Sequence, residues 1–335
     1  LHNYNTLDSS IGSNFIDALI YTQAGEIFAG TDKGAFKYSK KRNAFDRITA
    51  LPKSFFRALR EDDQGNIWAG TYGSGFFKYN PKTNTAKQYF FSINNNKSIA
   101  CNIINYIYCA PGGIIWFATE GGLCRFDSRS GAVKIYTTRN NLPANVIYTI
   151  LEDKNNHLWL STSKGLVRFT PTDNQVKTFT RSRGLLTDQF NYRSAFADNK
   201  GYMYFGSVKG MISFHPASIP VQHYPPPVYI TGFQIYNQEL AIAPKSSPLK
   251  TSILYTKELR LKYNQSTFSI DFAALDYNAP SSIRYAYKMT GLDKNWNYLL
   301  SNRKAYYTEL PPGKYTFVVK IVMESKDVEG NFAQL

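Results

Sequence analysis

Apolar residues along the first two thirds of the chain recur in short runs separated by turn residues. Five segments each combine an aromatic anchor with a glycine-bearing loop and a second apolar run. They are GEIFAGTDKGAFKY (25–38), GNIWAGTYGSGFFKY (65–79), GIIWFATEGGLCRF (113–126), NHLWLSTSKGLVRF (156–169) and GYMYFGSVKGMISF (201–214). The anchors are Phe28, Trp68, Trp116, Trp159 and Tyr204, spaced 40, 48, 43 and 45 residues apart. A period of this size indicates a repeat architecture.

Each repeat predicts four short strands. An apolar run such as Ile16–Tyr21 precedes a tight turn and the anchor strand, and the loop then leads to a third strand and a ragged fourth. The first turn has Asp in first place and Gly in fourth at 62–65 and 198–201, which type I turns favour. Four antiparallel strands per unit are typical of a β-propeller blade, whereas a helical repeat needs a 3.6-residue pattern that these segments lack.

Composition favours the same all-β class. The chain has 335 residues, of which 43% are hydrophobic, 16% aromatic and 19% charged, so it can build a core and is not globally disordered. The formal charge is +15, yet the basic residues are scattered and no recognition helix is evident, so we expect no nucleic-acid partner. Cys101, Cys109 and Cys124 lack metal-ligand spacing, and we expect three small buried residues.

A second domain follows a proline-rich joint. Residues 268–273 and 315–321 alternate apolar and polar side chains in short runs bounded by Pro and Gly. This period of two predicts strands, and several such strands suggest a small immunoglobulin-like β-sandwich. The expected domains are propeller repeats at 1–219, a Pro-rich joint at 220–227 and a sandwich at 228–335, truncated at its C-terminus.

The repeats resemble the two-component regulator propeller, whose pattern is D-x-x-G-x-I-W-x-G-T-x-x-G-[IL]-x-[RK]-[FY]. The stretch from Gly184 to Pro216 resembles the last blade of such propellers. Residues 228–322 resemble the three-tyrosine (Y_Y_Y) domain that follows them. The matching stretches are LKYNQS (261–266), 268–277, YAY (285–287), GLDKNW (291–296) and LPPGKY (310–315).

This resemblance implies the sensor region of a hybrid two-component system regulator that controls polysaccharide use. Two seven-bladed propellers and the sandwich of such a protein lie on the periplasmic side of the inner membrane, and a membrane helix and histidine kinase follow. We therefore expect an oligosaccharide ligand, a homodimer in the full-length protein, and a membrane connection only through segments that this chain lacks. The five blades are expected to be part of a seven-bladed propeller.

Both ends of the chain depart from the family pattern. The chain opens at Leu1 without a leader pattern, so we expect a piece of a longer protein. Residues 1–4 could form the outer strand of a preceding blade, and the tail at 324–335 is expected to lack the final sandwich strand. Whether five blades close into a ring or remain an open arc is left open by the sequence.

Candidate binding residues occupy one column of the repeat. A polar or polar-tipped residue stands 11 positions before each anchor, inside an otherwise apolar first strand, which is the innermost strand of a blade. These residues are Asp17, Arg57, Asn105, Tyr148 and Arg193. The column 12 positions before the anchors, which includes Tyr192, is expected to be mostly packing. The polar column is either a wetted channel wall or a ligand-contacting ring, because such side chains make directed hydrogen bonds.

The loops after the anchor strands are expected on the same face as this ring. They carry Tyr72, which could stack on a sugar ring, together with Glu120 and Lys209, and the basic balance makes an acidic oligosaccharide a secondary candidate. Motifs for cofactor, metal or nucleophile chemistry are missing, and Asp17 is the single carboxylate in the ring, so we predict no catalytic residue, cofactor or metal. The alternatives are a propeller carbohydrate-active enzyme (lyase or hydrolase) and a protein-interaction scaffold.

Overall fold

The computed structural model describes residues 4, 11–93, 98–219, 226–243, 247–275, 283–299, 302–322 and 332–335. The chain divides into two compact units, residues 1–219 and 220–335. Both units consist of antiparallel sheets, which confirms the all-β prediction. Within these ranges no helix is long and apolar enough to cross a membrane.

Five antiparallel sheets form the first unit, and in each sheet the strands pair in their order along the chain. The first two sheets contain β1 (Ile16–Tyr21), β2 (Ile27–Thr31), β3 (Gly34–Ser39), β4 (Ala44–Arg47), β5 (Phe56–Glu61), β6 (Ile67–Thr71), β7 (Phe76–Asn80) and β8 (Thr85–Tyr89). The next two contain β9 (Ile104–Ala110), β10 (Ile114–Thr119), β11 (Gly122–Asp127), β12 (Val133–Tyr136), β13 (Ile147–Glu152), β14 (Leu158–Thr162), β15 (Gly165–Thr170) and β16 (Gln175–Phe179). The fifth contains β17 (Phe190–Ala197), β18 (Met203–Ser207) and β19 (Gly210–Phe214). These sheets are the predicted propeller blades.

The fifth blade has three strands among the described residues, so the prediction of four strands in every repeat is wrong there. After β19 the chain turns through a 3-10 helix at Pro216–Ser218. The His215 side chain caps that turn by accepting a hydrogen bond from the Ala217 N–H at 3.2 Å. The capped turn ends the hairpin where a fourth strand would begin.

In three blades the anchor itself holds the first turn, including both predicted Asp-x-x-Gly turns, at 62–65 and 198–201. The Trp68 indole N–H donates to Asp62 Oδ2 at 2.8 Å, and the Trp159 indole donates to Asp153 Oδ2 at 2.9 Å. In the fifth blade the Tyr204 hydroxyl donates to Asp198 at 3.1 Å. Trp68, Trp159 and Tyr204 therefore satisfy their turn carboxylates with their polar edges, and the two indole rings also fill the core.

Neighbouring blades pack face to face through aromatic side chains. Phe76 of the second blade stacks on Phe117 of the third with ring centroids 4.0 Å apart, and the buried Trp68 lies against Phe126 at 5.6 Å. Cys124 is buried in the same cluster and accepts a hydrogen bond from the Ala100 N–H. Burial raises the pKa of the Cys124 thiol to about 12. All three cysteines are free thiols, and Cys101 and Cys109 are half-buried rather than buried as expected.

The outer faces of the first and fifth blades do not pack against each other. Leu19 and Tyr21 on the first blade are 65% and 75% exposed, and Phe196 and Met211 on the fifth are 62% and 63% exposed. The inner strands of consecutive blades do pack against each other, in the order β1, β5, β9, β13 and β17. The five blades thus form an open arc, and completion to seven blades stays a prediction. Residues 1–3 lie outside the described residues, which leaves the expected preceding strand untested.

The second unit consists of two four-stranded sheets around one core, as predicted for a sandwich. The strands are β20 (Val228–Ile235), β21 (Gln238–Glu239), β22 (Phe268–Ala274), β23 (Arg284–Thr290), β24 (Asn297–Leu299), β25 (Lys304–Tyr307), β26 (Thr316–Val322) and β27 (Phe332–Gln334). The sheet orders are β21-β20-β22-β25 and β24-β23-β26-β27. Phe272, Tyr285, Phe317 and Val319 are buried at the centre of this core.

The expectation that the tail lacks a final sandwich strand is wrong. Residues 332–334 form β27, which pairs antiparallel with β26, Val319 opposite Ala333. The Phe317 and Leu335 backbones also exchange hydrogen bonds at 2.9 and 3.0 Å. The strand escaped sequence analysis because it is short and lacks a clear alternation of apolar and polar residues. The prolines at 220 and 225 lie outside the described residues.

Candidate functional site

The five residues 11 positions before the anchors lie at breaks in strand pairing. In the first blade Ile16 pairs with Thr31 and Ala18 with Gly30, so Asp17 bulges out of the ladder. The same irregularity occurs at Arg57, Asn105 and Tyr148, and a longer one contains Arg193. A β-bulge re-aims a side chain. The bulge therefore points each polar side chain in a direction that the regular two-residue alternation of its strand would not give it.

Opposite charges meet at the centre of the arc. Arg193 of the fifth blade forms an ion pair with the Asp17 carboxylate, and its Nη1 donates to the backbone carbonyls of Asp17 and Arg57 at 3.2 and 3.3 Å. Arg57 Nε lies 3.8 Å from Asp17 Oδ2, and this buried N–H makes no hydrogen bond to any described residue. The blades are thus joined through one carboxylate and two guanidinium groups, and part of their hydrogen-bonding capacity is unused.

Asn105 connects the charged centre to the loop after β10. Its side-chain oxygen accepts from Arg57 Nη1 at 3.3 Å, and its NH₂ group donates to Glu120 Oε1 and to the Ile147 carbonyl, both at 2.9 Å. Asn105 is fully buried. Glu120 therefore brings a second carboxylate into the network. Asp17 is thus not the single carboxylate at this site, and the expectation of no catalytic residue loses that support.

Two tyrosines complete the network on the fourth and fifth blades. Tyr148 and Tyr192 pack edge to face with centroids 4.4 Å apart. Burial, the charge of Glu120 and a hydrogen bond to its carboxylate raise the pKa of Tyr192 to about 12. Burial and the same carboxylate raise the pKa of Tyr148. Both hydroxyls stay protonated at neutral pH, and that of Tyr192 donates to the Glu120 carboxylate.

Tyr192 was expected in a packing column, and that expectation is wrong. In the fifth blade pairing stops at Phe190, opposite Ser207, and resumes at Ala195, opposite Phe205. Because this break is longer than the bulge in the other blades, the buried Phe190 takes the packing position and Tyr192 faces the cluster. Arg193 within the break has a φ of 53°, which is rare for a bulky L-residue and costs conformational energy.

The loops after the anchor strands are held by one repeated hydrogen bond. The hydroxyl three residues after each anchor donates to the carbonyl of the loop glycine, at 2.7–2.9 Å. The pairs are Thr31 with Gly34, Thr71 with Gly75, Thr119 with Gly122, Thr162 with Gly165 and Ser207 with Gly210. The bond between Thr71 and Gly75 fixes the loop that bears Tyr72. The centroids of the Tyr72 and Tyr192 rings lie 5.1 and 5.0 Å from the Arg57 guanidinium carbon, so both rings contact the same guanidinium group.

The structure brings six of the seven candidate residues into one network. We call Asp17, Arg57, Asn105, Tyr148 and Arg193, together with Glu120, Tyr192 and Tyr72, the bulge cluster. Lys209 is exposed, and no contact described in the structure links its side chain to the cluster. No group of three or more His, Cys, Asp or Glu residues in the described ranges could hold a metal ion.

Family models match both units. Residues 50–73 and 141–164 match the two component regulator propeller, and residues 276–329 match the Y_Y_Y domain. This chain carries two-component regulator propeller repeats followed by a Y_Y_Y domain. The resemblance drawn from the repeats and from the stretches after residue 228 is thereby confirmed.

Proteins of known name are similar to nearly the whole of this chain. Histidine kinase P4 of Formosa agariphila is 28% identical over 343 residues, which cover 96% of this chain and 25% of that protein. The extracellular domain of the hybrid two component system BT3049 from B. thetaiotaomicron is 24% identical, with a TM-score of 0.74 over 96% of this chain and 50% of that one. The corresponding domain of BT4673 is 18% identical, with a TM-score of 0.55 over 97% of this chain and 56% of that one. The chain thus spans a quarter of the curated relative and half of each crystallised chain.

Proposed function

We propose that this chain is the sensory region of a hybrid two-component histidine kinase and that it binds an oligosaccharide at the bulge cluster. The observation that carries the proposal is the convergence of bulged polar residues from all five inner strands on one site. A wetted channel wall needs polar residues but does not need them joined across blades. The named relatives, a histidine kinase and the extracellular domains of hybrid two component systems, support the signalling role.

The cluster offers the chemistry that sugar hydroxyls require. The Arg193 side chain is 27% exposed and Tyr192 keeps its hydroxyl proton at neutral pH, so both offer donors that a ligand can reach. The half-buried Glu120 carboxylate can accept a hydrogen bond from a sugar hydroxyl. The rings of Tyr72 and Tyr192 contact the Arg57 guanidinium. Apolar walls with a few convergent polar groups are typical of small-ligand sites.

The proposed sensor lies on the periplasmic side of the inner membrane and works as a homodimer in the full-length protein. Ligand binding can change kinase output only if it favours one arrangement of the second unit over another. That unit follows the fifth blade directly in sequence, and the fifth blade supplies Arg193 and Tyr192 to the cluster. The sandwich is therefore the proposed transmitter to a kinase beyond this chain.

A thermal-shift screen of the purified chain against neutral and acidic oligosaccharides tests the proposal, with hits confirmed by calorimetry. A ligand at 100 times its Kd stabilises the native state by about 2.7 kcal/mol. Arg57→Ala is expected to abolish the shift. Arg60→Ala is the matched control, because Arg60 lies on the same strand and also contacts a ring, that of Tyr106, at 5.3 Å.

The outcome separates the proposal from its rivals. Binding that is lost in Arg57→Ala but kept in Arg60→Ala supports sensing at the bulge cluster. Chromatography of the incubated oligosaccharide tests turnover, and cleaved product would favour the carbohydrate-active enzyme instead. No shift with any oligosaccharide would contradict ligand sensing by this chain and favour a protein-interaction scaffold.

A further inference from the structure

Five aromatic rings cross the bulge cluster in a series that the Arg57 guanidinium bridges at one point. Phe15 lies 5.7 Å from Phe55, and Phe55 lies 6.0 Å from Tyr72, measured between ring centroids. Tyr72 contacts the Arg57 guanidinium, which contacts Tyr192, and Tyr192 packs on Tyr148. We call Phe15, Phe55, Tyr72, Tyr192 and Tyr148 the aromatic track. It crosses the first, second, fifth and fourth blades at the ends where their inner strands begin.

The track is open to solvent at three places. Phe15 is 55% exposed, Tyr72 56% and Tyr192 42%. Large exposed aromatic side chains cost solvation free energy, and a contiguous series of them marks a binding surface more often than isolated ones do. The half-buried Phe55 contacts Phe15 and Tyr72, and the buried Tyr148 contacts Tyr192, so each exposed ring packs on a less exposed one.

Backbone contacts hold the exposed rings in place. The Tyr72 N–H donates to the Phe55 carbonyl at 2.9 Å, and the Gly73 N–H donates to the Asn102 carbonyl at 3.0 Å. The Phe15 N–H donates to the Ser13 hydroxyl oxygen at 2.9 Å, and that hydroxyl donates in turn to the Asp32 carboxylate. A platform ordered before binding avoids the entropy cost of ordering it on binding.

Charges within the cluster cancel. Asp17 and Glu120 are negative, Arg57 and Arg193 are positive, and Asp17 is nine-tenths buried between the two guanidinium groups. An anionic group bound there would have to replace Asp17 as the partner of Arg193 and leave a buried carboxylate uncompensated, which is costly. Although the formal charge of the whole chain is +15, the charged side chains of the cluster sum to zero.

We propose that the aromatic track binds an uncharged oligosaccharide, whose successive sugar faces stack along the rings while hydroxyls bond the polar residues of the cluster. This rests on the proposed function and replaces the secondary expectation of an acidic ligand. Because the rings are spread over four blades, one sugar unit cannot cover them. Affinity therefore grows with chain length.

Calorimetry with matched oligosaccharides tests the proposal. The probes are neutral α- and β-linked oligosaccharides from monosaccharide to hexasaccharide, each beside the form of the same backbone that is carboxylated at C6, such as β-1,4-mannan and β-1,4-mannuronan. We expect a neutral series to bind, with affinity rising about tenfold or more from the monosaccharide to the tetrasaccharide. Raising NaCl from about 0.05 to 0.5 M should leave the affinity unchanged, since screening weakens only charge attraction.

Variants locate the bound chain. Phe15→Ala and Tyr72→Ala are each expected to weaken binding about tenfold while the unfolding midpoint changes little, because both rings are half exposed. Tyr202→Ala is the control, since Tyr202 is comparably exposed but lies on the turn at the opposite end of β17.

The possible results distinguish this inference from the sensory proposal. Tighter, salt-sensitive binding of a C6-carboxylate form would overturn the uncharged ligand and leave sensing intact. If a neutral oligosaccharide binds Phe15→Ala and Tyr72→Ala as tightly as it binds the native protein, the aromatic track is not its binding surface, and the sensory proposal stands. Failure of every probe to bind would overturn both.

Discussion

Arg193 of the fifth blade forms an ion pair with Asp17 of the first, although the exposed faces of these two blades do not pack on each other. The same guanidinium donates to the carbonyls of Asp17 and Arg57. One side chain thus joins three blades at the centre of an open arc. The contact links the end of the propeller that leads into the second unit to the site proposed for the ligand.

Asp17→Ala is expected to lower the free energy of unfolding of the propeller by about 3 kcal/mol, because two buried or partly buried arginines lose their counter-charge. Urea denaturation followed by tryptophan fluorescence measures the loss. A Trp296→Phe background confines the signal to the first unit, since Trp68, Trp116 and Trp159 all lie there.

A double-mutant cycle provides the control for the Asp17 prediction. The double variant Asp17→Ala/Arg193→Ala should lose less free energy of unfolding than the two single variants added together, because the second change removes one of the two arginine charges that Asp17→Ala leaves without a counter-charge. Additive losses would show that Asp17 and Arg193 do not interact in solution.

The backbone at Arg193 gives a separate prediction. Both Arg193→Gly and Arg193→Ala remove the guanidinium, but only alanine keeps a Cβ at the observed φ of 53°. The glycine variant is expected to be more stable than the alanine variant by about 1 kcal/mol in the same urea assay. Equal stabilities would mean that this residue relaxes out of the left-handed region.

The blade architecture is predictable from the sequence because turn chemistry and anchor spacing are local properties. The column of polar residues is recognisable too, since a polar side chain inside an apolar strand stands out in a regular repeat. The position of Tyr192 is not, because the longer break in β17 shifts the count from the anchor.

Glu120 and the final sandwich strand depend on contacts that the sequence does not reveal. Glu120 was placed on the correct face, but its bond to Asn105 depends on how the loop after β10 folds back onto β9. The strand at 332–334 is specified by its pairing with β26 rather than by its own pattern. Such long-range pairings leave little trace in the local sequence.

The second unit has a buried tyrosine with a testable structural role. The Ala274 N–H donates to the hydroxyl oxygen of Tyr285 at 2.9 Å within the sandwich core. Tyr285→Phe leaves that N–H without an acceptor and should cost about 1–3 kcal/mol. Hydrogen exchange of peptides covering 268–275 should accelerate, whereas Tyr298→Phe on the exposed β24 should change nothing. Unchanged protection in Tyr285→Phe would contradict the bond.

Close packing between the second and third blades depends on Gly70. A Cβ added there would lie 2.5 Å from Ile104 Cγ2, a distance that real Cβ atoms do not adopt. Gly70→Ala is therefore expected to destabilise the propeller by about 2 kcal/mol in urea denaturation. Gly70→Ala with Ile104→Ala should cost less than the two single changes added together, because the second removes Cγ2, the nearer of the two Ile104 atoms that clash, and leaves only Cβ at 2.8 Å. A strictly additive pair would place the strain elsewhere.

The anchor and turn bond of the fourth blade predicts a pH dependence. Burial opposes the charge on Asp153, but hydrogen bonds from the Trp159 indole and the His157 N–H outweigh it and lower the pKa of the Asp153 carboxyl. A carboxyl whose folded pKa is lowered stabilises the protein above its unfolded pKa, about 3.9, and this contribution disappears as pH falls through the folded pKa.

Trp159→Phe removes the indole donor to Asp153 and should cost about 2 kcal/mol at pH 7. Because the variant brings the folded pKa closer to the unfolded value, its deficit relative to the native protein should shrink as pH drops below about 4. Trp116→Phe is the control, since the turn at 110–113 in the third blade contains no carboxylate. Urea denaturation at pH 7 and pH 3 measures both variants, and a deficit of Trp159→Phe that stays constant with pH would contradict the role of Asp153.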